Sequence, residues 1–166
     1  MKILQVIDTL HIGGAEKVFI NQCNILYAKG INVSCLFLLQ KGVLHHLINQ
    51  NISCIELKRK NKWSLMTMYK CAAMLKEYHI IHCHSKHVYR YIALVNLLFF
   101  LRKKIILQDH SGIFAVEPKV PLFFNSILKP SYYIAVSSKL LSWAQNAMKL
   151  PNNRSFLLQN CILKSN

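Results

Sequence analysis

Short, nearly continuous apolar runs alternate along this chain with stretches whose apolar residues recur every three or four positions. The runs at residues 3–7, 33–39, 52–57, 80–83, 104–108, 133–136 and 155–158 read as strands, and unbroken apolarity suits strands buried on both faces of a parallel sheet. Between the first two, Ala15, Val18, Phe19, Cys23 and Leu26 step along one helical face, and Gly30 is a plausible stop. Further helices are predicted over 43–50, 64–78 with Ser64 as N-cap, 88–101, 122–128 between Pro121 and Pro130, and 138–149 before Pro151. This alternation predicts an α/β fold: a Rossmann-like, doubly wound, mostly parallel sheet with helices on both faces. No repeat, linker or low-complexity segment interrupts it, and the length suits one domain with a real core.

In such sheets ligands bind beyond the carboxyl ends of the strands, where strand order reverses. Attention therefore falls on residues 9–16, 39–42, 58–62, 84–87, 109–112 and 137–138. The first of these carries Gly13-Gly14-Ala15-Glu16 at the strand-to-helix crossing. Glycines there permit close approach of a ligand, and the helix start offers unpaired N–H groups to an anion. Glu16 fits a helix-capping role better than a ligand contact, although either is compatible with its position. Two other tips pair histidine with serine, His84-Ser85 and His110-Ser111. Imidazole hydrogen-bonds a phosphate or a sugar hydroxyl in either protonation state, so Gly13, Gly14, His84, His110 and Ser111 are candidate cleft residues.

Charge changes the picture further. Lys and Arg number 21 against 6 Asp and Glu, a net charge of +15, while 53% of residues are hydrophobic. A field of that sign attracts phosphates, and its combination with high apolar content favours a membrane surface over nucleic acid. Lys58, Arg59, Lys60 and Lys62 precede Trp63, and Arg102, Lys103 and Lys104 follow Phe99-Phe100. Such basic clusters beside aromatics suit an anionic leaflet, although a solvated loop is the commoner use of a charge run. No apolar stretch approaches the length of a membrane span, and the N-terminus lacks a signal-peptide pattern. The expected location is cytoplasmic, peripheral at the inner face of the membrane. Six scattered cysteines without a CxxC pair read as reduced, mostly buried thiols.

The ordered series of motifs resembles the family 4 glycosyltransferases, which have the GT-B fold. Gly13-Gly14-Ala15-Glu16 looks like their N-terminal signature. Ile80-Ile81-His82-Cys83-His84-Ser85 is similar to a family strand end, with His79 where an acidic residue is usual. Gln108-Asp109-His110-Ser111-Gly112 resembles the next strand and loop, and Tyr133-Ile134-Ala135-Val136-Ser137-Ser138 the strand after it. Leu157-Leu158-Gln159-Asn160-Cys161-Ile162 looks like the interdomain hinge, with Cys161 replacing glycine. The resemblance implies retaining transfer of a sugar from a nucleotide-sugar to a saccharide or lipid-linked acceptor in surface polysaccharide or glycolipid synthesis. It implies no cofactor or obligatory metal, and it places His110 near the transferred sugar, the sole candidate for a catalytic residue.

The resemblance covers only the family's N-terminal, acceptor-side half. The glutamates Glu16, Glu56, Glu77 and Glu117 contain no E-x7-E pair. The expectation is thus a single domain over 1–166 without the donor-binding domain, incompetent for transfer alone and served by a separate donor-domain chain. Split enzyme, gene fragment and excised domain remain open. So does a non-catalytic binding or scaffolding subunit.

Four other readings fit less well. His82 and His84 share one strand face with Cys83 on the other, which does not converge zinc ligands. Asp8 or Asp109 with His110 lacks an identifiable nucleophile for hydrolysis. A dinucleotide site needs G-x-G-x-x-G and an acid after the second strand, where Leu38-Leu39-Gln40-Lys41 stands. Nucleic-acid binding lacks a recognition motif.

Overall fold

The computed structural model describes residues 1–110, 120–125 and 127–159. Seven strands form one parallel sheet in the order β3-β2-β1-β4-β5-β6-β7. They are β1 (Lys2–Ile7), β2 (Asn32–Phe37), β3 (Ser53–Glu56), β4 (Ile80–His84), β5 (Lys104–Asp109), β6 (Tyr132–Ala135) and β7 (Ser155–Leu157). Each predicted strand is present, shifted by at most two residues at an end, because an apolar run buried on both faces leaves little freedom of assignment.

Among the described residues four α-helices flank the sheet: α1 (Gly14–Ala28), α2 (Leu65–Lys76), α3 (Lys86–Leu98) and α4 (Ser138–Asn146). Alternate strand residues divide the core in two. Ile7, Val33, Cys35 and Phe37 pack with Phe19, Ile20 and Cys23 of α1. On the opposite face Leu4, Val6, Ile81, Cys83 and Leu107 pack with residues of α2, α3 and α4. Ser64 caps α2 as its position suggests, its Oγ accepting from Thr67 N at 3.3 Å.

Two predicted helices are shorter and tighter than their patterns suggest. The segment 43–50 contains only a 3-10 turn, Val43–Leu47, and 122–128 contains another, Leu122–Asn125. The first follows Gly42, whose φ of 78° belongs to the left-handed region. A Cβ at Gly42 would lie 2.7 Å from Leu10 N, so the β1 and β2 loops are pressed together through a position only glycine fits.

Strand order reverses between β1 and β4. The chain leaves β1 for α1 on one face and β4 for α3 on the other. The loops at the carboxyl ends of these two strands therefore diverge and open a crevice, as the doubly wound plan requires.

Candidate functional site

One row of polar side chains is buried on the α1 face, running toward that crevice. Gln5, His82, His84 and Gln108 are all buried within strands that otherwise read as apolar. Strand register sets Gln5 beside His82, and His84 beside Gln108. The side chains then connect across the sheet. His84 Nε2 donates to Gln5 Oε1 at 2.8 Å, and His84 Nδ1 lies 3.2 Å from His110 Nε2. With the Gln5 oxygen facing His84, the proton sits on Nε2, so His84 Nδ1 accepts from His110. That order leaves His110 Nδ1 as a lone-pair acceptor, and this atom is buried without a partner among the described residues.

Burial keeps these rings neutral. His84 is held well below the usual histidine value, first by desolvation and then by His82 and His110. His82 falls to about 3, mainly through desolvation, then through His110, with the neighbouring Gln108 amide opposing. His110 is also lowered by burial, against the pull of Asp109. The rings of His84 and His110 stack at 5.4 Å, and Phe19 of α1 meets His84 edge-on at 5.0 Å. A neutral imidazole fixed on both sides presents one acceptor to a hydroxyl without the cost of burying a charge.

The glycine pair stands at the same edge. Gly13 is the N-cap of α1 with extended backbone, and Gly14 begins the helix. Neither has a positive φ. A Cβ at Gly14 would meet nothing, and one at Gly13 would meet only the Glu16 carboxylate, the far end of a flexible side chain. The fold itself does not demand glycine here. What glycine provides is room for the folded-back Glu16 carboxylate, which complements the helix dipole in the first turn.

A second cluster lies across the crevice. Asp8, just past β1, accepts from Arg59 Nη2 at 3.2 Å and pairs with His87 Nε2 at 2.7 Å. The Arg59 guanidinium lies 4.4 Å from the Tyr91 ring centre. Arg59 is only 8% exposed, which removes it from the basic surface patch in which its neighbours place it. Lys58 causes the difference: its φ of 54° turns the chain after β3, sending Lys58 outward and Arg59 inward. Lys103 is likewise engaged, its Nζ donating to the carbonyls of Lys76 and Tyr78 at 2.7 and 2.8 Å. Ser85, with φ of 107°, brings its Oγ to 3.3 Å from both ring nitrogens of His87. Equal distances place that oxygen against the ring rather than along a lone pair. Ser85, His87 and Asp8 therefore do not form a proton relay in this geometry.

Of the sequence candidates, His84 and His110 touch, and Gly13, Gly14 and Glu16 share their edge. Ser111 and the hinge-like Asn160 lie outside the described residues. Gln5 and Gln108 are the buried polar neighbours that apolar periodicity passes over. A lone amide inside an apolar strand is the signal that marks them.

No family model matches the chain, and no curated protein matches it either. Solved structures do. The chain superposes on HepE from Anabaena, crystallised with UDP and glucose, with a TM-score of 0.72 and 18% identity, over 98% of this chain and 45% of that one. The lipopolysaccharide outer core galactosyltransferase WaaB gives 0.71 and 19% over 93% and 44%. MurG from Acinetobacter baumannii gives 0.63 and 14% over 99% and 46%. The chain thus spans less than half the length of these proteins. At such identities the shared property is the fold: a seven-stranded parallel α/β sheet matching one domain of the GT-B glycosyltransferases.

Proposed function

We propose that this chain is the N-terminal, acceptor-side domain of a family 4 retaining glycosyltransferase, working with a donor-binding domain that holds most of a nucleotide-sugar. The observation that carries the reading is the buried, unpartnered His110 Nδ1, oriented by His84 and Gln5 at the edge where α1 also begins. An acceptor sugar has hydroxyl donors for that lone pair, and a nearby diphosphate would reach the α1 N–H groups by displacing the Glu16 carboxylate. UDP in the HepE crystals supports a nucleotide-sugar as donor substrate. No cofactor is required by this reading.

The acceptor is proposed to be a saccharide, lipid-linked and met at the inner membrane face. Supporting this, Lys58, Lys60 and Lys62 lie beside Trp63, Leu65, Met66 and Tyr69, which are exposed by 61–73%. Phe100, 83% exposed, stands next to Arg102 and near Lys104. Basic groups each contribute about 1 kcal/mol at an anionic leaflet, and exposed aromatics add interfacial anchoring. Among the described residues no helix is long and apolar enough to cross a membrane.

Hydrogen exchange tests the site: a panel of oligosaccharides is expected to include one that protects residues 8–14, 84–87 and 108–110, with His110→Ala losing the effect. Absence of protection there with every saccharide would sink the acceptor assignment. Tight, saturable binding of UDP-glucose by this chain alone would contradict donor grip lying elsewhere. Vesicle co-sedimentation tests docking. Equal binding to phosphatidylcholine and phosphatidylglycerol vesicles would remove the electrostatic part.

A further inference from the structure

Beside the histidine row a groove of about 390 Å³ lies between α1 and the sheet. Val18, Ile134 and Leu158 supply apolar wall, while Gln5, Gln22 and His82 line the polar side. The volume falls in the range of small-molecule sites, which pair apolar walls with a few placed polar groups. Two such groups lack partners. His82 Nε2 and Gln22 Oε1 are buried without a hydrogen bond among the described residues, and the His82 residue is only 6% exposed. An unsatisfied buried polar atom is costly, and a native fold keeps one chiefly where something else satisfies it.

The chemistry of these two atoms narrows what that something is. Gln22 commits its amide nitrogen to Gln108 Oε1 at 2.9 Å, so its free oxygen can only accept. His82 is neutral at ordinary pH, so Nε2 either accepts or donates according to tautomer. A hydroxyl satisfies Gln22 as donor and His82 in either tautomer. A carboxylate would face the Gln22 oxygen without a proton to offer. A cation would be buried against apolar walls with no counter-charge on the groove's polar side. We propose that this groove is a binding site for a neutral apolar alcohol, whose hydroxyl bonds His82 Nε2 and Gln22 Oε1 while its hydrocarbon covers Val18, Ile134 and Leu158. The site adjoins the proposed acceptor edge, sharing Gln5 with it, and stands whether or not the transferase reading does. It has a physical link to that edge, since the His82 and His84 rings lie 4.5 Å apart and His84 bonds His110.

Calorimetric titration of the full chain with 2-naphthol and with naphthalene tests the proposal, the two probes differing in one hydroxyl. Saturable one-to-one binding is expected, with 2-naphthol favoured at least about fivefold, the worth of one neutral hydrogen bond. His82→Phe, which keeps a ring of similar shape, is expected to erase that preference while naphthalene still binds. Val18→Trp, at a half-buried helical position, is expected to fill the groove and abolish binding of both, with circular dichroism confirming that each variant is folded. If His82→Phe does not fold, Val18→Trp and the preference of the unaltered chain decide the matter. No saturable binding of 2-naphthol to the unaltered chain would overturn the proposal. So would equal affinity for the two probes, which would mean that water satisfies His82 and Gln22, or binding that survives Val18→Trp.

Discussion

Removing the Asp8 carboxylate tests whether the cluster across the crevice is a buried ion pair or a surface ornament. Arg59 and Asp8 side chains are 6% and 16% exposed, with Nη2 and Oδ1 3.2 Å apart. At an effective dielectric near 20 that separation corresponds to about 5 kcal/mol of gross attraction. Desolvation of both ions cancels much of this, so the pair adds little relative to a well-packed apolar pair. Breaking it is different. Asp8→Ala leaves Arg59 buried against Tyr91 with its charge unmet, and the expected loss is about 3 kcal/mol, the low end for a broken buried pair because Asp8 retains some solvent. The His87 contact adds little, since that ring is 65% exposed. Urea denaturation followed by circular dichroism measures the loss. Arg59→Met in the Asp8→Ala background is expected to restore most of it, because methionine can pack on Tyr91 without a charge. A loss below about 0.5 kcal/mol in the single variant, the size of an ordinary surface change, would refute the reasoning. So would a double variant no more stable than Asp8→Ala.

Glycine substitutions should separate ligand access from fold. Gly14→Ala is expected to leave stability unchanged or raise it by up to about 1 kcal/mol, whereas Gly42→Ala should destabilise strongly because its Cβ meets the Leu10 backbone; thermal unfolding ranks the two. Stability should also fall with acidity. His82 is depressed to about 3 in the fold, against about 6.5 unfolded, so the unfolded chain binds its proton first. Its contribution is full above pH 6.5 and drains away as pH falls toward 3, about 2 kcal/mol being lost by pH 5. His84 shifts in the same direction. Urea midpoints across pH 7 to 5 measure this, and a flat profile would mean that these rings are not buried neutral.

What could be read along the chain was what local periodicity encodes. Seven apolar runs and four helical patterns, including the one behind the Ser64 cap, correspond to observed elements because burial and capping are short-range demands. The short patterns after Gly42 and Pro121 overran, since two or three apolar contacts do not distinguish an α-helix from a 3-10 turn. The histidines at the tips of β4 and β5 were legible as neighbours once a parallel sheet was inferred, because adjacent strands end at the same edge.

The sequence by itself determined the strand and helix order and the charge. Tertiary structure decided the state of individual groups. Arg59 sits in a basic string, yet its partner Asp8 is 51 positions away, and only the fold brings the carboxylate and Tyr91 to it. Gln5 reaches His84 across 79 positions, and that contact fixes which His110 nitrogen remains to accept a proton. Such partnerships leave no periodic mark, because hydrogen bonds and ion pairs depend on distances in space that many different intervening chains could produce.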